Sequence, residues 1–400
     1  MKHLRACIAV GIITGLFLPR APHAFAGTFT SSPTPAPFLV GGNAIDWECN
    51  SERCSYGHDL GHNGWSDIHL SMHGYSGKVT FQKEYWLRMM DDLVRARANF
   101  IRIPAMTEGQ GILWEPWVNG RADRIKGADP AWIARLKFLL DQAHARGLRV
   151  QIGMLTGNTF RNESGMYNFY HGKNLILKNP ETMMDYLKKV IHPVLTRIGS
   201  HPALEHFEIM GETDGAISTA NGEITELDLR IFLAMNTSFI RKNFPELRAK
   251  LSASIGFGPT PEKARRLFAN TGLDFAQIHL YNQEGSIGDC GEWSRVGLPI
   301  MLGEFGLLKP APVTDQARVM KRFIEESRAC GFMGAAMWAM DYGPNTGDPT
   351  RYNNLYTMDG KVKPLLMRTL VLAGERRSAY STTSSNPGSI LTKGRQDLSW

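Results

Sequence analysis

This chain is short of the features that mark several common protein classes. It has five cysteines and twelve histidines in 400 residues. None of the cysteine spacings matches a zinc site well, and His, Cys and carboxylates do not cluster as ligands along the sequence, so neither a metal nor another cofactor is expected. There is no basic run. The formal charge is +7, and setting aside Lys2, Arg5 and Arg20 near the N-terminus leaves about +4, too little to point to a nucleic acid partner. The apolar stretch from Cys7 to Leu18 falls short of the roughly 20 residues that cross a bilayer. No glycine-rich phosphate loop follows the first strand, which argues against a nucleotide-binding doubly wound sheet.

The first 26 residues have the layout of a cleaved secretory signal: basic Lys2 and Arg5, the apolar stretch, then Ala24-Phe25-Ala26. A secreted or periplasmic location is therefore expected, with no membrane span after cleavage. Residues 27–37, with Pro33-Thr34-Pro35-Ala36-Pro37, read as an extended linker. Residues 375–400 are rich in Ser, Thr and Gly and have too few apolar residues to bury, so a disordered tail is expected. In an oxidising compartment Cys49 and Cys54 fit a small-loop disulfide. Cys290 follows a strand and Cys330 ends a helix, which places them at opposite ends of the domain and leaves them unpaired. Asn162-Glu163-Ser164 formally fits an N-glycosylation acceptor.

Between residues 38 and 374, short apolar runs alternate with amphipathic helices, the signature of a parallel α/β architecture. The strand candidates are 38–44, 99–104, 148–154, 207–212, 250–255, 274–281, 299–304 and 334–339. Helices are expected at 83–98, 131–145, 183–198, 226–243, 315–330 and 365–372. Eight strands are the number a closed barrel needs, so the expected fold is α/β, a single (β/α)8 TIM barrel.

Two of these strands end on a carboxylate: Phe207-Glu208-Ile209-Met210-Gly211-Glu212 and Ile300-Met301-Leu302-Gly303-Glu304. In such a barrel the strand C-termini share one face, where catalytic groups collect. Two carboxylates on that face can act as acid/base and nucleophile in glycoside hydrolysis. Strict alternation puts Glu208, Met210 and Glu212 on one inward face, with Arg102 as the candidate partner of a buried Glu208. His279 and Tyr281 alternate on the sixth strand, and a Tyr281 hydroxyl donating to Glu304 would hold it ionised. Trp338 ends the eighth strand and offers a flat platform for a sugar ring. Trp47, Trp65, Trp114, Trp117 and Trp293 fall in loops of the same face. Each residue taken singly has a plainer reading, as ion-pair member, packed ring or hydrophobic filler. The two strand-end glutamates together require two such accidents.

The strand-two run ending in Arg102, the Phe-Glu-Ile-Met-x-Glu run, His-x-Tyr at 279 and 281, Gly-Glu-Phe-Gly around Glu304, and Trp338 together resemble clan A of the glycoside hydrolases. The likeness is greatest to the cellulase and mannanase-like enzymes of family 5, over about residues 38–372. That resemblance implies Glu212 as acid/base, Glu304 as nucleophile, Arg102 and Tyr281 against the nucleophile, and His279 and Trp338 at the substrate, to which the loop placement of Trp47 adds a further substrate-binding candidate. It implies a retaining enzyme, monomeric, acting on a β-linked polysaccharide or oligosaccharide, with β-1,4-glucan or β-mannan foremost. Two positions depart from the pattern. Gly211 stands where the family has an Asn that bonds the sugar 2-hydroxyl, and the third strand lacks the His of many relatives. Gly211 keeps open a catalytically weakened carbohydrate-binding protein on the same barrel. A metal-dependent hydrolase is disfavoured by the lack of a His cluster at the strand ends.

Overall fold

The computed structural model describes residues 37–44, 81, 83–106, 109, 111–115, 124–160, 173–219, 223–340, 355–356 and 361–381. The expected signal, most of the linker, Trp47, Trp65, Trp117, Cys49, Cys54, Asn162 and the tail beyond 381 lie outside them. Ten strands are described: β1 Leu39–Asn43, β2 Phe100–Pro104, β3 Ile112–Glu115, β4 Arg124–Ala128, β5 Arg149–Thr156, β6 Leu204–Gly211, β7 Lys250–Ile255, β8 Phe275–Tyr281, β9 Ile300–Gly306 and β10 Gly334–Met337. Eight of them close a barrel in the order β1-β10-β9-β8-β7-β6-β5-β2, every pair parallel. The fold is the (β/α)8 barrel expected from the alternation, and the fourth and seventh barrel strands are β6 and β9.

The helices form where the sequence supplies their ends. Asp129 caps Pro130–Ala145 by accepting from the Ala131 N–H at 2.8 Å, Pro130 takes the first helical position, and Gly147 turns the chain out at φ +69°. Its buried stripe of Trp132, Leu136, Leu139, Leu140 and Ala143 lies against the barrel. Thr225 and Asp228 form a reciprocal capping box at the start of Glu226–Asn243. The helix Pro180–Tyr186 passes through a π turn, Leu187–Ile191, into His192–Ile198. Pro193 has no N–H to give to the preceding turn, and the widened turn absorbs that loss. No described helix is long and apolar enough to cross a membrane.

Four features depart from the sequence reading. An antiparallel hairpin, β3–β4, is inserted after β2. It buries Trp114 and packs on Trp132, so Trp114 is core and not a groove aromatic. Gly111 (φ +78°) permits that approach, since a Cβ there would lie 2.4 Å from the Trp132 ring. The last helix runs Pro364–Ser381, well past the expected end at 372.

The remaining two departures share one cause. Between β8 and β9 the chain makes only a short helix, Cys290–Ser294, and otherwise runs as a loop alongside the helix Val313–Ala329. Glu326 of that helix accepts from the Ser286 hydroxyl at 3.1 Å and from the Ile287 N–H at 3.0 Å. The loop has therefore left the strand-end face by the time it reaches Cys290. Cys290 is joined to Cys330 in a disulfide, with Cα atoms 5.2 Å apart, where the sequence reading left both free. Trp293 is buried on the same descent, giving its indole N–H to the Ile287 carbonyl at 2.7 Å, and is not at the mouth.

Apolar side chains fill the space between barrel and helices, and a smaller cluster of Leu39, Phe100, Phe275, Met301 and Ala336 plugs the barrel floor. His206 joins that floor between the rings of Phe100 and Phe275, at 5.8 and 4.5 Å. Above it the interior turns polar. Gln151 donates to Glu208 at 2.9 Å and to Gln277 at 3.0 Å, and Gln277 donates to Ser252 at 2.7 Å. These bonds satisfy groups that burial would otherwise penalise by about 1 to 3 kcal/mol each. They also give the strand-end face a rigid base.

Candidate active site

Arg102, the middle residue of β2, is the hub of the barrel mouth. Its Nε and Nη2 both reach Glu208 Oε2 at 2.8 Å, and its Nη1 donates to Glu304 Oε1 and to Asn43 Oδ1, each at 2.6 Å. Asn43 passes its own amide hydrogens to the Gly303 and Met337 carbonyls at 3.0 and 3.1 Å, tying β1 to β9 and β10. Burial works against the Arg102 charge, yet Glu208 and Glu304 outweigh it and hold the guanidinium above its ordinary value. Burial likewise pushes Glu208 up, but Arg102 more than reverses this and keeps it an anion. A buried charge held this way is expensive to unpair, so Glu208 fixes where Arg102 can point.

Both carboxylate-bearing strands break their alternation just before the key residue. On β6 the register with β7 slips between Glu208 and Met210. A Cβ at Gly211 would face inward, 3.2 Å from Arg102 Nη2 and 3.5 Å from Glu208 Oε1. Met210 is packed in the apolar layer, so the expected common face for Glu208, Met210 and Glu212 is corrected by a bulge. Glu212 then takes a left-handed backbone, φ +44°. Its N–H is held by Ser254 Oγ at 2.7 Å. The carboxylate lies over Gly256, where a Cβ would come within 2.2 Å of Oε1. On β9 a slip against β8, between the pairs Ile278–Leu302 and His279–Glu304, turns Glu304 inward after Gly303.

Glu304 is nearly enclosed, its side chain 7% exposed against 23% for Glu212. The Tyr281 hydroxyl donates to Glu304 Oε2 at 2.8 Å. His279 Nδ1 stands between the two acids, 3.0 Å from Glu212 Oε1 and 3.2 Å from Glu304 Oε2. Burial raises the Glu304 carboxyl above the usual carboxylate range, against the pull of His279, Arg102 and the Tyr281 hydrogen bond. The hydroxyl therefore moderates a raised group and does not by itself lower it, which corrects the sequence expectation. Burial also opposes the His279 charge, but Glu304 and Glu212 overcome it and lift the imidazole above its ordinary value. Tyr281 is raised well above the phenol range by burial and the adjacent anions, and so remains a donor.

One oxygen from each glutamate and His279 Nδ1 lie within 4.8 Å of one another. The sequence showed no clustering of potential metal ligands, because these three come from three different strands. They could converge on a cation only by giving up the hydrogen bonds just described. Trp338 follows β10 and is half-buried, its N–H bonded to the Phe305 carbonyl at 3.0 Å. His279, Tyr281, Glu212, Glu304 and Trp338 are thus carried at or near strand C-terminal ends, Arg102 reaches them from the middle of β2, and Trp47 lies outside the described residues. Sequence reasoning missed Asn43 and Ser254. Both sit at or near strand ends, so the same positional rule applied to uncharged side chains would have found them.

A (β/α)8 barrel with paired glutamates at the ends of its fourth and seventh strands is the architecture in hand. No protein-family model matches the chain, and no curated protein sequence does. Solved structures do. The β-mannanase of the blue mussel Mytilus edulis superposes with a TM-score of 0.54 at 16% identity, over 84% of this chain and 92% of that one. The β-1,4-D-mannanase of Cryptopygus antarcticus gives 0.56 at 16% identity, over 84% and 90%. A subfamily 18 member of glycoside hydrolase family 5 from Streptomyces cattleya, solved in complex with GlcNAc, gives 0.58 at 15% identity, over 89% and 83%. The fold is that of these barrels.

Proposed function

We propose that this chain is a retaining β-glycoside hydrolase. The observation that carries the reading is the pair Glu212 and Glu304, with oxygens within 4.8 Å of each other across His279 at the strand-end face. Retaining glycosidases hold their carboxyl groups about 5 to 5.5 Å apart, whereas inverting ones leave about 6.5 to 9.5 Å for a water. Glu304 attacks the anomeric carbon as the bond to the leaving oxygen breaks and Glu212 gives that oxygen its proton. Glu212 then takes a proton from water, whose oxygen displaces Glu304 from the anomeric carbon. Arg102, Tyr281 and His279 support this division, since all three bond Glu304 as an anion. Trp338 would lie against the reacting sugar.

The mannanase names among the structural neighbours favour a β-1,4-mannan over a β-1,4-glucan, and the substrate is drawn from these two. A secreted or periplasmic location is part of the proposal, supported by the signal-like N-terminus and the Cys290–Cys330 disulfide. So is a monomer. Gly211 favours a second reading, a weakened sugar-binding barrel, because it brings no side chain to the sugar 2-hydroxyl. The test is product analysis on mannan and glucan oligosaccharides with NMR of the first-formed anomer. The expected result is a β product from the wild type and its loss in Glu304→Ala and Glu212→Ala. An α product would refute retention, and sugar binding without turnover would leave only the second reading.

A further inference from the structure

Just past β7 the chain makes a tight turn, Gly256–Phe257–Gly258, closed by the Gly258 N–H to the Gly256 carbonyl at 3.1 Å. Phe257 sits at its apex, and its side chain belongs to the exposed large hydrophobics at 36%. The turn is held far more firmly than a surface loop requires. Asp214, almost fully buried, accepts from the Gly256 N–H at 2.9 Å and from the Phe257 N–H at 3.1 Å. Lys263 pairs with Asp214 at 3.1 Å and also donates to the Phe257 carbonyl. Every backbone polar group of Phe257 is thereby fixed.

The ring is placed as deliberately as the backbone. It lies on Gly215, where a Cβ would come within 2.5 Å of Phe257 Cε2, so only glycine admits it. Gly215 is three residues beyond Glu212 and donates its N–H to the Glu212 carbonyl at 2.8 Å. Gly256, next to Phe257, is the residue over which the Glu212 carboxylate rests. The ring therefore stands beside the Glu212 segment, on Gly215 and next to Gly256, whereas Arg102, Tyr281 and His279 are the groups that hold Glu304. A rigid, part-exposed ring beside a proton donor suits the apolar face of a pyranose.

Resting on the glycosidase reading, we infer that Phe257 is a stacking platform for the sugar on the leaving-group side of Glu212. It binds that sugar when it departs and, in reverse, when an acceptor sugar enters to take up the glycosyl group. Loss of the ring should weaken this step about tenfold, the factor that corresponds to one stacked aromatic contact.

The test compares wild type, Phe257→Ala and Phe257→Trp on two substrates. One is a β-1,4-linked oligosaccharide that the wild type cleaves, and the other is the β-glycosyl fluoride of the same donor sugar, whose leaving group cannot stack. In Phe257→Ala, kcat/KM on the oligosaccharide should fall about tenfold further than on the fluoride, and Phe257→Trp should recover most of it. With the fluoride as donor, the acceptor concentration giving half-maximal transfer should rise by a similar factor. Equal losses on both substrates, or an unmoved acceptor half-saturation, would overturn the inference and leave the glycosidase reading standing. Azide rescue of Phe257→Ala would also overturn it, by showing that Glu212 itself had been displaced. A wild type that turns over neither substrate would bring down the glycosidase reading first.

Discussion

His206 makes the barrel floor sensitive to acid in a way that can be separated from catalysis. Its ring is fully buried between Phe100 and Phe275, and its Nδ1 lies 3.3 Å from Gln151 Oε1, an arrangement in which a neutral ring donates. Nε2 is buried with no hydrogen-bond partner. Burial, reinforced by Lys250 and Arg149, pushes the imidazole from 6.5 down to about 3. The sign follows from proton counting. Below pH 6.5 the unfolded chain takes up a proton that the folded chain refuses, so stability falls as pH drops, and the loss is complete near pH 3. At about 1.4 kcal/mol per pH unit, the full window costs about 4 to 5 kcal/mol, and the span from pH 6.5 to 4 about 3 kcal/mol. Urea unfolding of wild type and His206→Gln at pH 7 and pH 4 would measure it. Gln keeps a donor for Gln151 but cannot titrate, so the gap between the two proteins should shift by about 3 kcal/mol in favour of the variant at pH 4. Parallel pH dependences would refute the assignment of acid sensitivity to this ring.

Three further outcomes are expected. On the proposed retaining mechanism, in which Glu304 attacks as an anion, the acid limb of kcat/KM should lie above the ordinary glutamate range because its carboxyl is raised; Tyr281→Phe removes a hydrogen bond to the anion and should move that limb higher still, read from pH–rate profiles. Ser254→Ala strips the acceptor from the Glu212 N–H in its left-handed turn and should lower kcat by about ten- to a hundredfold with little change in KM, whereas Ser254→Thr keeps much of the rate; a loss confined to KM would count against a positioning role. The Cys290–Cys330 bridge spans 40 residues, so the Cys290→Ser, Cys330→Ser double variant should lose about 4 kcal/mol by the loop-entropy relation, measured by denaturant unfolding; unchanged stability would mean that the bridge does not constrain the unfolded chain.

What could be read from the sequence, and what could not, divides along a physical line. The eight barrel strands and the longer helices were legible, though not Thr213–Thr219 or Pro261–Phe268, because buried parallel strands are continuous apolar runs and amphipathic helices repeat near 3.6 residues. The pairing of Arg102 with Glu208 was legible because a buried charge needs an opposite one on a neighbouring inward face. The direction of Met210 and Gly211 was not, since a bulge leaves no mark in a run such as Ile209-Met210-Gly211. The Cys290–Cys330 pair was missed because a residue soon after a strand was placed at the strand-end face, opposite the helix end that carries Cys330. A loop held by Glu326 instead carries Cys290 down to that end. One hydroxyl and one backbone N–H bonded to a single glutamate hold that path, and no periodicity records them.

The same bulge bears on the position where this chain leaves its apparent relatives. Gly211 does not open an empty slot. A Cβ there would already stand 3.2 Å from Arg102 Nη2 and 3.4 Å from Thr156 Cγ2, closer than side chains comfortably pack. An Asn installed at 211 would therefore press on the guanidinium that holds Glu208 and Glu304 before it could reach a sugar. Glycine is thus part of how the Arg102 hub is seated. Restoring the Asn alone should weaken the site, not strengthen it, because the Arg102 geometry and the residue at 211 were settled together.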